Sequence, residues 1–365
     1  MRKFGNPRLL VSLLALLTII LSACGGSSGG STSSSGNSSS GNSSSSSSTP
    51  AKGVALVTDI GGLNDQGFNQ LSNEGYEAAR KKYNFPRAVI ETKSQSDYIK
   101  NLTQASQSGD LVIGVGFLMA TAVDQVAKQH PDKKYALIDS CASDAKGNCE
   151  TLPNVAPIFF KEEQAGCLVG AAAGQMEMDG KAKVSKLLGS NTIAAVGGVK
   201  IPPVDHYIAG YQYCAKKVDP NVKVVVNYSQ SFVDTAKCKD VATSQINQSK
   251  ADIIFQVAGG CGVGALQAAN EKGVYGIGVD SDQGKINNSV ITSAVKKVDA
   301  SVSQTIDSFE TNKYTNSPAP FDLKSDGVGY APFSSDVPAD AKATADKYAT
   351  DIKSGALTVP NTVQQ

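Results

Sequence analysis

From residue 54 onward, short apolar runs alternate with longer stretches of helical periodicity, and this alternation restricts the fold more than any other feature. Apolar runs at 54–58, 88–91, 111–115, 134–139, 155–159, 192–197, 222–227, 252–257 and 274–279 have the length and character of strands. Helical patterns lie between them, among others at 69–83, 120–129, 162–175 and 236–248. Strands of about five residues separated by helices of about ten to fifteen indicate βαβ units and parallel sheets. One sheet would need about nine or ten strands, whereas two sheets of about four or five give two doubly wound lobes of ordinary size. The fold class is therefore α/β. The segment 313–335, with Pro318, Pro320 and Pro332, reads as loop with one short strand near Gly327–Tyr330. No short-period repeat is visible.

Three of the strand candidates stop on an aspartate: Val54 to Asp59, Tyr135 to Asp139, and Val274 to Asp280. In open α/β sheets, ligands bind outside the carboxyl ends of the strands. An aspartate there is often only the cap of the next helix. Three of them, spread over both lobes, fit a polar cleft, where each carboxylate oxygen accepts from a hydroxyl or amino group. The first segment carries most of the candidates. Asp59 is followed by the tight Gly61-Gly62 turn, then Asp65, Phe68 and Asn69. Asp59 and Asp65 offer acceptors, Asn69 a donor and an acceptor, and Phe68 a flat apolar face. The plain structural reading makes Asp59 a turn residue, Asp65 a helix cap and Phe68 part of the core.

The amino terminus points to export. Arg2, Lys3 and Arg8 precede an apolar run from Leu9 to Ala23, shorter than the ~20 residues that span a bilayer. A basic flank, a short apolar core and small residues at the end make residues 1–23 a signal peptide. Leu21-Ser22-Ala23-Cys24 resembles a bacterial lipobox, which implies cleavage before Cys24 and lipid on its thiol, with more than one acyl chain needed for stable anchoring. Residues 24–50 are then a lipidated cysteine and a Ser/Gly-rich flexible tether. The expected location is extracytoplasmic, on the cell membrane. Gly25 to Gly29 matches a hydrolase elbow by letters alone, without the strand and helix that give that motif its chemistry.

A near-even balance of 34 basic and 33 acidic residues argues against a nucleic-acid partner. Besides Cys24, six cysteines remain: Cys141, Cys149, Cys167, Cys214, Cys238 and Cys261. An even number in an exported chain suggests disulfides rather than metal, and no C-x-x-C occurs. His130 and His206 lie far from any cysteine cluster, so no metal site is expected. Cys141 and Cys149 flank a polar loop and are paired. Cys238 and Cys261 each sit near a helix start on one sheet face and are paired, which leaves Cys167 with Cys214. Six cysteines allow fifteen connectivities, and spacing alone does not choose among them.

Several motifs recur together in order: Asp59-Ile-Gly-Gly62 with Asp65-Gln-Gly-Phe-Asn69; Gly114-Val-Gly-Phe117; Phe160-Lys-Glu-Glu-Gln164; Gly197-Gly-Val-Lys-Ile-Pro202; Phe232-Val-Asp234; Ala258-Gly-Gly-Cys-Gly262; and Gly278-Val-Asp-Ser-Asp-Gln283. With them the chain resembles the basic membrane protein family of bacterial lipoproteins, the nucleoside-binding components of ABC transporters. The resemblance covers most of the chain after the tether. It implies a type I periplasmic-binding-protein fold, with two Rossmann-like lobes joined by a hinge of three crossovers. Lobe 1 is expected over 52–155 plus 294–318 and lobe 2 over 156–293 plus 319–358. It further implies a purine nucleoside stacked between Phe68 and Tyr207, with Asn69 and Asp139 beside the base and Asp280 and Lys296 at the ribose. Asp59 and Gly259 complete the expected ligand-binding set. Gly67 departs from the serine usual before Phe-Asn in the family, and the six extra cysteines are not general in it. The implied partners are a nucleoside, a transporter permease and, through the lipid, the membrane. No cofactor and no enzymatic activity are implied, and the protein is expected to be a monomer.

Two other functions fit parts of the sequence. Gly260, Gly262 and Ala265 fit G-x-G-x-x-A after a strand, with Asp280 about 20 residues on, which in isolation suggests an NAD-dependent oxidoreductase. The export signal and the scarcity of histidine for proton transfer oppose it. A ligand sensor for a membrane receptor would use the same two lobes.

Overall fold

The computed structural model describes residues 52–364. The signal peptide, Cys24 and the tether lie outside the described residues. Two sheets organise the chain. The first is built from β1 (Val54–Val57), β2 (Val89–Ile90), β3 (Leu111–Val115), β4 (Lys134–Ile138) and β5 (Val155–Ile158), in the order β2-β1-β3-β4-β5. All of its pairings are parallel. The second contains β6 (Thr192–Gly197), β7 (Lys223–Tyr228), β8 (Ile253–Val257), β9 (Tyr275–Asp280), β10 (Val290–Lys296) and β11 (Val328–Tyr330), in the order β11-β10-β9-β8-β6-β7. Only β11 runs antiparallel to its neighbour.

Apart from β11, the second sheet repeats the strand order of the first. Each is a doubly wound sheet whose order reverses once, between β1 and β3 in one lobe and between β6 and β8 in the other. Polypeptide crossovers leave a crevice at such a reversal. The repeat is architectural, which is why no short period appears in the sequence. Strands β1, β3, β6 and β8 are buried along their whole length, as parallel strands covered on both faces must be.

Helices α1 (Phe68–Tyr83), α2 (Tyr98–Ser108) and α3 (Ala120–Gln129) follow β1, β2 and β3. Helices α4 (Glu162–Asp179), α5 (Pro202–Val218), α6 (Thr235–Ser249) and α7 (Gly262–Lys272) serve the second sheet, and α8 (Val298–Glu310) and α9 (Ala339–Ser354) close the chain. Helix α8 returns to pack on α1, and α9 packs on α4. Helix α4 is buried almost all round, so its side chains are small and its amphipathic signal is weak. It approaches α5 so closely that Gly166 and Gly170 leave no room for a Cβ against the Tyr207 and Tyr211 carbonyls.

The sheets refine several expectations. Strand β10 joins the second sheet from outside the apolar runs of the sequence, because Thr292, Ser293 and Lys296 interrupt its apolar character. The second sheet therefore has six strands rather than four or five. Strand β5 belongs wholly to the first sheet and β10 wholly to the second. Phe321 bridges to Phe160, and its carbonyl accepts from the Lys161 N–H at 2.9 Å.

Disulfides join Cys141 to Cys149, Cys167 to Cys214 and Cys238 to Cys261, with Cα separations of 5.5, 5.0 and 5.6 Å. These are the expected pairs. The first closes a loop after β4. The second ties α4 to α5, and the third ties the start of α6 to the turn that opens α7.

Candidate ligand-binding site

The carboxyl ends of both sheets face one cleft. Asp59 follows β1, Gly116 and Phe117 follow β3, Asp139 follows β4, Gly259 follows β8, and Asp280 and Lys296 end β9 and β10. All of these residues line a single pocket, together with Asp65, Phe68 and Asn69 from the first lobe and Ile201, Val204, Tyr207 and Phe232 from the second. All eight ligand-binding residues expected from the sequence are thus in one place. The space inside admits the centres of water-sized molecules over about 80 Å³.

The two lobes supply equivalent positions. Asp139 and Asp280, one residue beyond β4 and at the end of β9, both adopt left-handed backbone, with φ of +67° and +62°. Aspartate tolerates that region better than most residues, and such strain collects at functional sites. Gly116 and Gly259, after β3 and β8, also have positive φ, of +106° and +54°.

On the first-lobe wall, local hydrogen bonds fix the polar groups. Asp65 accepts from the backbone N–H groups of Gly67, Asn69 and Gln70 at 3.1, 2.8 and 3.1 Å, which fastens the first turn of α1. Asp65 thus serves the start of the helix, the plain structural reading of it, with three of its roughly four acceptor positions taken by backbone donors. Asn69 accepts from the Asp59 N–H at 2.9 Å and donates to the Ile60 carbonyl at 3.3 Å. Asp59 accepts from the Ile60 N–H at 2.7 Å and from the Tyr98 hydroxyl. Burial pushes its carboxyl up to about 6, against the lowering effect of those two bonds.

The second-lobe wall is a network of side chains. Lys296 is 3% exposed and donates to Asp139 Oδ2 at 2.7 Å across the cleft floor. Glu162 Oε1 and Asp280 Oδ1 lie 3.7 and 3.9 Å from the same ammonium. Three rings surround it, with centroids 4.7 Å away for Phe68, 5.2 Å for Phe160 and 5.6 Å for Tyr207. Buried ammonium, carboxylates and ring faces compensate one another there. Burial raises the Asp139 carboxyl to about 7 although Lys296 lowers it. Asp139 Oδ1 is buried without a partner, which leaves an acceptor for a bound molecule. The Tyr207 hydroxyl donates to Asp280 Oδ1 at 3.1 Å, and its ring meets Phe255 edge-on at 6.2 Å. At the cleft mouth, Ser281 Oγ and Gln283 Nε2 donate to the Gln66 carbonyl at 2.6 and 3.1 Å, joining the lobes.

Sequence reasoning missed Phe117, Phe232, Tyr98 and Glu162 as parts of the site. Phe117, Phe232 and Glu162 lie inside motifs that were visible; helix and loop packing puts the two rings on the pocket and the buried Glu162 beside Lys296. Tyr98 carries no sequence signal of its own. Glu162, Glu163 and His206 form an unexpected cluster whose ligand atoms lie within 4.8 Å of one another, but Glu162 already faces His206 and Lys296. Gly262, in the dinucleotide-like fingerprint, packs against the Gln256 side chain, and Gly264 against the Thr235 carbonyl. These small residues seat α7 on its neighbours, and the two glycines beyond Gly259 that fit the fingerprint do not line the pocket.

Residues 52–361 match the family described as ABC transporter substrate-binding protein PnrA-like. The chain is 30% identical over 331 residues to a CD4+ T-cell-stimulating antigen of Listeria monocytogenes, covering 84% of this chain and 87% of the relative. It is 31% identical over 331 residues to the ABC transporter nucleoside-binding protein BmpA of Lactococcus lactis, covering 84% and 88%. A lipoprotein of Pyrococcus furiosus is 33% identical over 290 residues, covering 76% and 69%. Among solved structures, a solute-binding protein of an ABC transporter system from Aeropyrum pernix superposes with a TM-score of 0.75 at 24% identity, over 84% of this chain and 93% of that one. This last likeness shows the two-lobed binding-protein fold.

Proposed function

We propose a function from the premise that this chain belongs to the Bmp family of PnrA-like ABC transporter substrate-binding proteins. It is a substrate-binding protein, and we infer that its substrate is a nucleoside, with a purine base, held in the interlobe pocket for uptake. The observation that carries this reading is the composition of that pocket: aromatic faces and buried carboxylates from both lobes meet around one lysine. Aromatic rings suit a base, carboxylates suit hydroxyl and amino hydrogens, and a relative in the same family is named as a nucleoside-binding protein. In this reading the base packs between Phe68 and Tyr207, beside Asn69 and Asp139, with Asp59 and Gly259 completing the pocket. The ribose lies toward Asp280 and Lys296. The bound protein then delivers its ligand to a transporter permease.

The same reading keeps the lipid on Cys24 and an extracytoplasmic place on the membrane, supported by relatives named as lipoproteins. It treats the working unit as a monomer of two lobes, the first built on the sheet of β1 to β5 and the second on the sheet of β6 to β11. Phosphate groups are disfavoured, because Asp59, Asp139, Glu162 and Asp280 outnumber Lys296 and like charges buried together cost free energy. Calorimetry with inosine, guanosine and adenosine, their 5′-monophosphates, free ribose and NADH tests the assignment. Nucleosides are expected to bind most tightly. A monophosphate, ribose or NADH binding more tightly than every nucleoside would sink it.

A further inference from the structure

The two oxygens of Asp59 have different surroundings. Oδ1 accepts from the Ile60 N–H and the Tyr98 hydroxyl. Among the described residues no hydrogen-bond donor reaches Oδ2, which lies beside Gly116, where a Cβ would collide with it. Gly116 also has φ of +106°, so backbone and space both call for glycine. Asp59 and Gly116 line the pocket. The carboxyl therefore turns Oδ1 to the protein and leaves Oδ2 for a ligand.

Tyr98 secures that orientation. It opens α2, is 4% exposed, and belongs to the same buried cluster as Val57, Leu102 and Met119. A buried tyrosine hydroxyl needs a polar partner, and its hydrogen-bond partner here is Asp59. Burial first, and the Asp59 charge second, hold the Tyr98 hydroxyl well above its usual range, so it stays a donor. A fixed donor favours the ionised form of the carboxyl it serves.

We propose that Tyr98 is a positioning residue for recognition: it keeps Asp59 ionised with Oδ2 turned into the pocket, and so selects base edges that carry N–H donors. The proposal rests on the nucleoside reading and deepens it. The partner chemistry is a purine edge with an N–H or amino group, met by Asp59 Oδ2 as acceptor.

The groups facing Asp59 are Tyr98 from α2, Asp65 from its own loop and Asn69 from α1. The more distant Asp139, Asp280 and Lys296 form the other network. With the Asp59 carboxyl pushed up to about 6, binding that needs the carboxylate is full above that pH and falls as the pH drops through it. Affinity for inosine should therefore rise roughly tenfold between pH 5 and pH 7. In Tyr98→Phe the charged form loses a donor, the carboxyl moves higher still, and the midpoint should shift upward by about one pH unit.

The experiment measures inosine affinity by calorimetry from pH 5 to 8 for the wild type, Tyr98→Phe and Asp59→Asn. In parallel, carbon-detected NMR follows the Asp59 carboxyl in ligand-free wild type and Tyr98→Phe, assigned by its loss in Asp59→Asn. The proposal expects the midpoint to rise in both measurements in Tyr98→Phe and the profile to flatten in Asp59→Asn. Equal NMR midpoints in the wild type and Tyr98→Phe would overturn it, as would Tyr98→Phe lowering Tm while affinity and pH profile stay unchanged. A profile that persists in Asp59→Asn would assign the titration to Asp139, which burial raises to about 7, or to His206, which Glu162 and Glu163 raise against the opposing effect of burial, and would also overturn it. If the NMR midpoint shifts but no nucleoside binds, the nucleoside reading fails while the Tyr98–Asp59 coupling stands.

Discussion

On the first-lobe wall of the cleft, Asp59, Asp65 and Asn69 direct most of their hydrogen bonds to the backbone of their own loop and helix. On the second-lobe wall, Tyr207, Asp280, Glu162 and Lys296 direct theirs to one another, and Lys296 reaches across to Asp139. The first wall is a set of mostly local devices, with Tyr98 of α2 as the distant partner of Asp59. The second is a mutual arrangement drawn from α4, α5, β9 and β10, in which losing one member leaves the others buried without compensation. The difference suggests that the first wall sets the chemistry of the contact and the second joins that contact to the relation between the lobes.

The strongest way to break this comparison is Lys296→Met. It leaves Asp139, Glu162 and Asp280 buried around an apolar chain. Removing one partner of a buried ion pair costs about 3–5 kcal/mol, so urea unfolding should show a loss of that order at neutral pH. The loss should shrink as the pH falls. Burial has already raised Asp139 to about 7 and Asp280 above the usual carboxylate range. Groups raised this way bind protons more readily folded than unfolded, so acid relieves their cost between the unfolded and folded values. A loss that stays under about 1 kcal/mol at every pH would mean that the second wall is held by packing rather than charge.

Phe68→Ala sharpens the comparison from the ligand side. Phe68 projects from the first turn of α1 and is half-buried beside the Lys296 ammonium. An aromatic stack on a base is worth ~1–3 kcal/mol, so nucleoside affinity should fall about ten- to a hundredfold. Melting temperature measured on the same sample separates stacking from core packing. A lowered Tm with unchanged affinity would assign Phe68 to the core.

The smallest expected effect is that of Asp65→Ala. It frees three backbone N–H groups at the start of α1 and should cost about 1–2 kcal/mol of stability. Affinity should fall with it, because Phe68 and Asn69 stand in that turn. If stability falls and affinity is untouched, the turn keeps its shape without the cap, and the first wall is less dependent on local bonds than the geometry implies.

Asp59, Asp65, Phe68 and Asn69 were readable because the strand, the glycine turn and the helix that present them are contiguous. The cap reading of Asp65, one of the two open for it, is the one the bonds support. Strand β10 was not assigned, since Thr292 and Ser293 are buried and satisfied by tertiary partners: Thr292 donates to the Ala331 carbonyl at 2.6 Å, and Ser293 Oγ accepts from the Gln283 N–H at 3.0 Å. Apolar periodicity cannot register polar residues that find partners only after folding. Lys296 was named through a family resemblance, and nothing in its neighbourhood along the chain announces three carboxylates and three rings around it.

What the sequence determined by itself was the class of architecture and the ends of the strands at which a site would lie, because apolar alternation and strand-terminal aspartates are properties of contiguous residues. The tertiary structure decided which of those groups remain available. Asp65 turns most of its acceptor capacity to a helix terminus, Asp59 keeps one oxygen because Tyr98 takes the other, and Asp139 keeps one because Lys296 takes the other. Availability depends on burial and on partners brought from 39 and 157 residues away, and separations of that length leave no pattern in the local sequence.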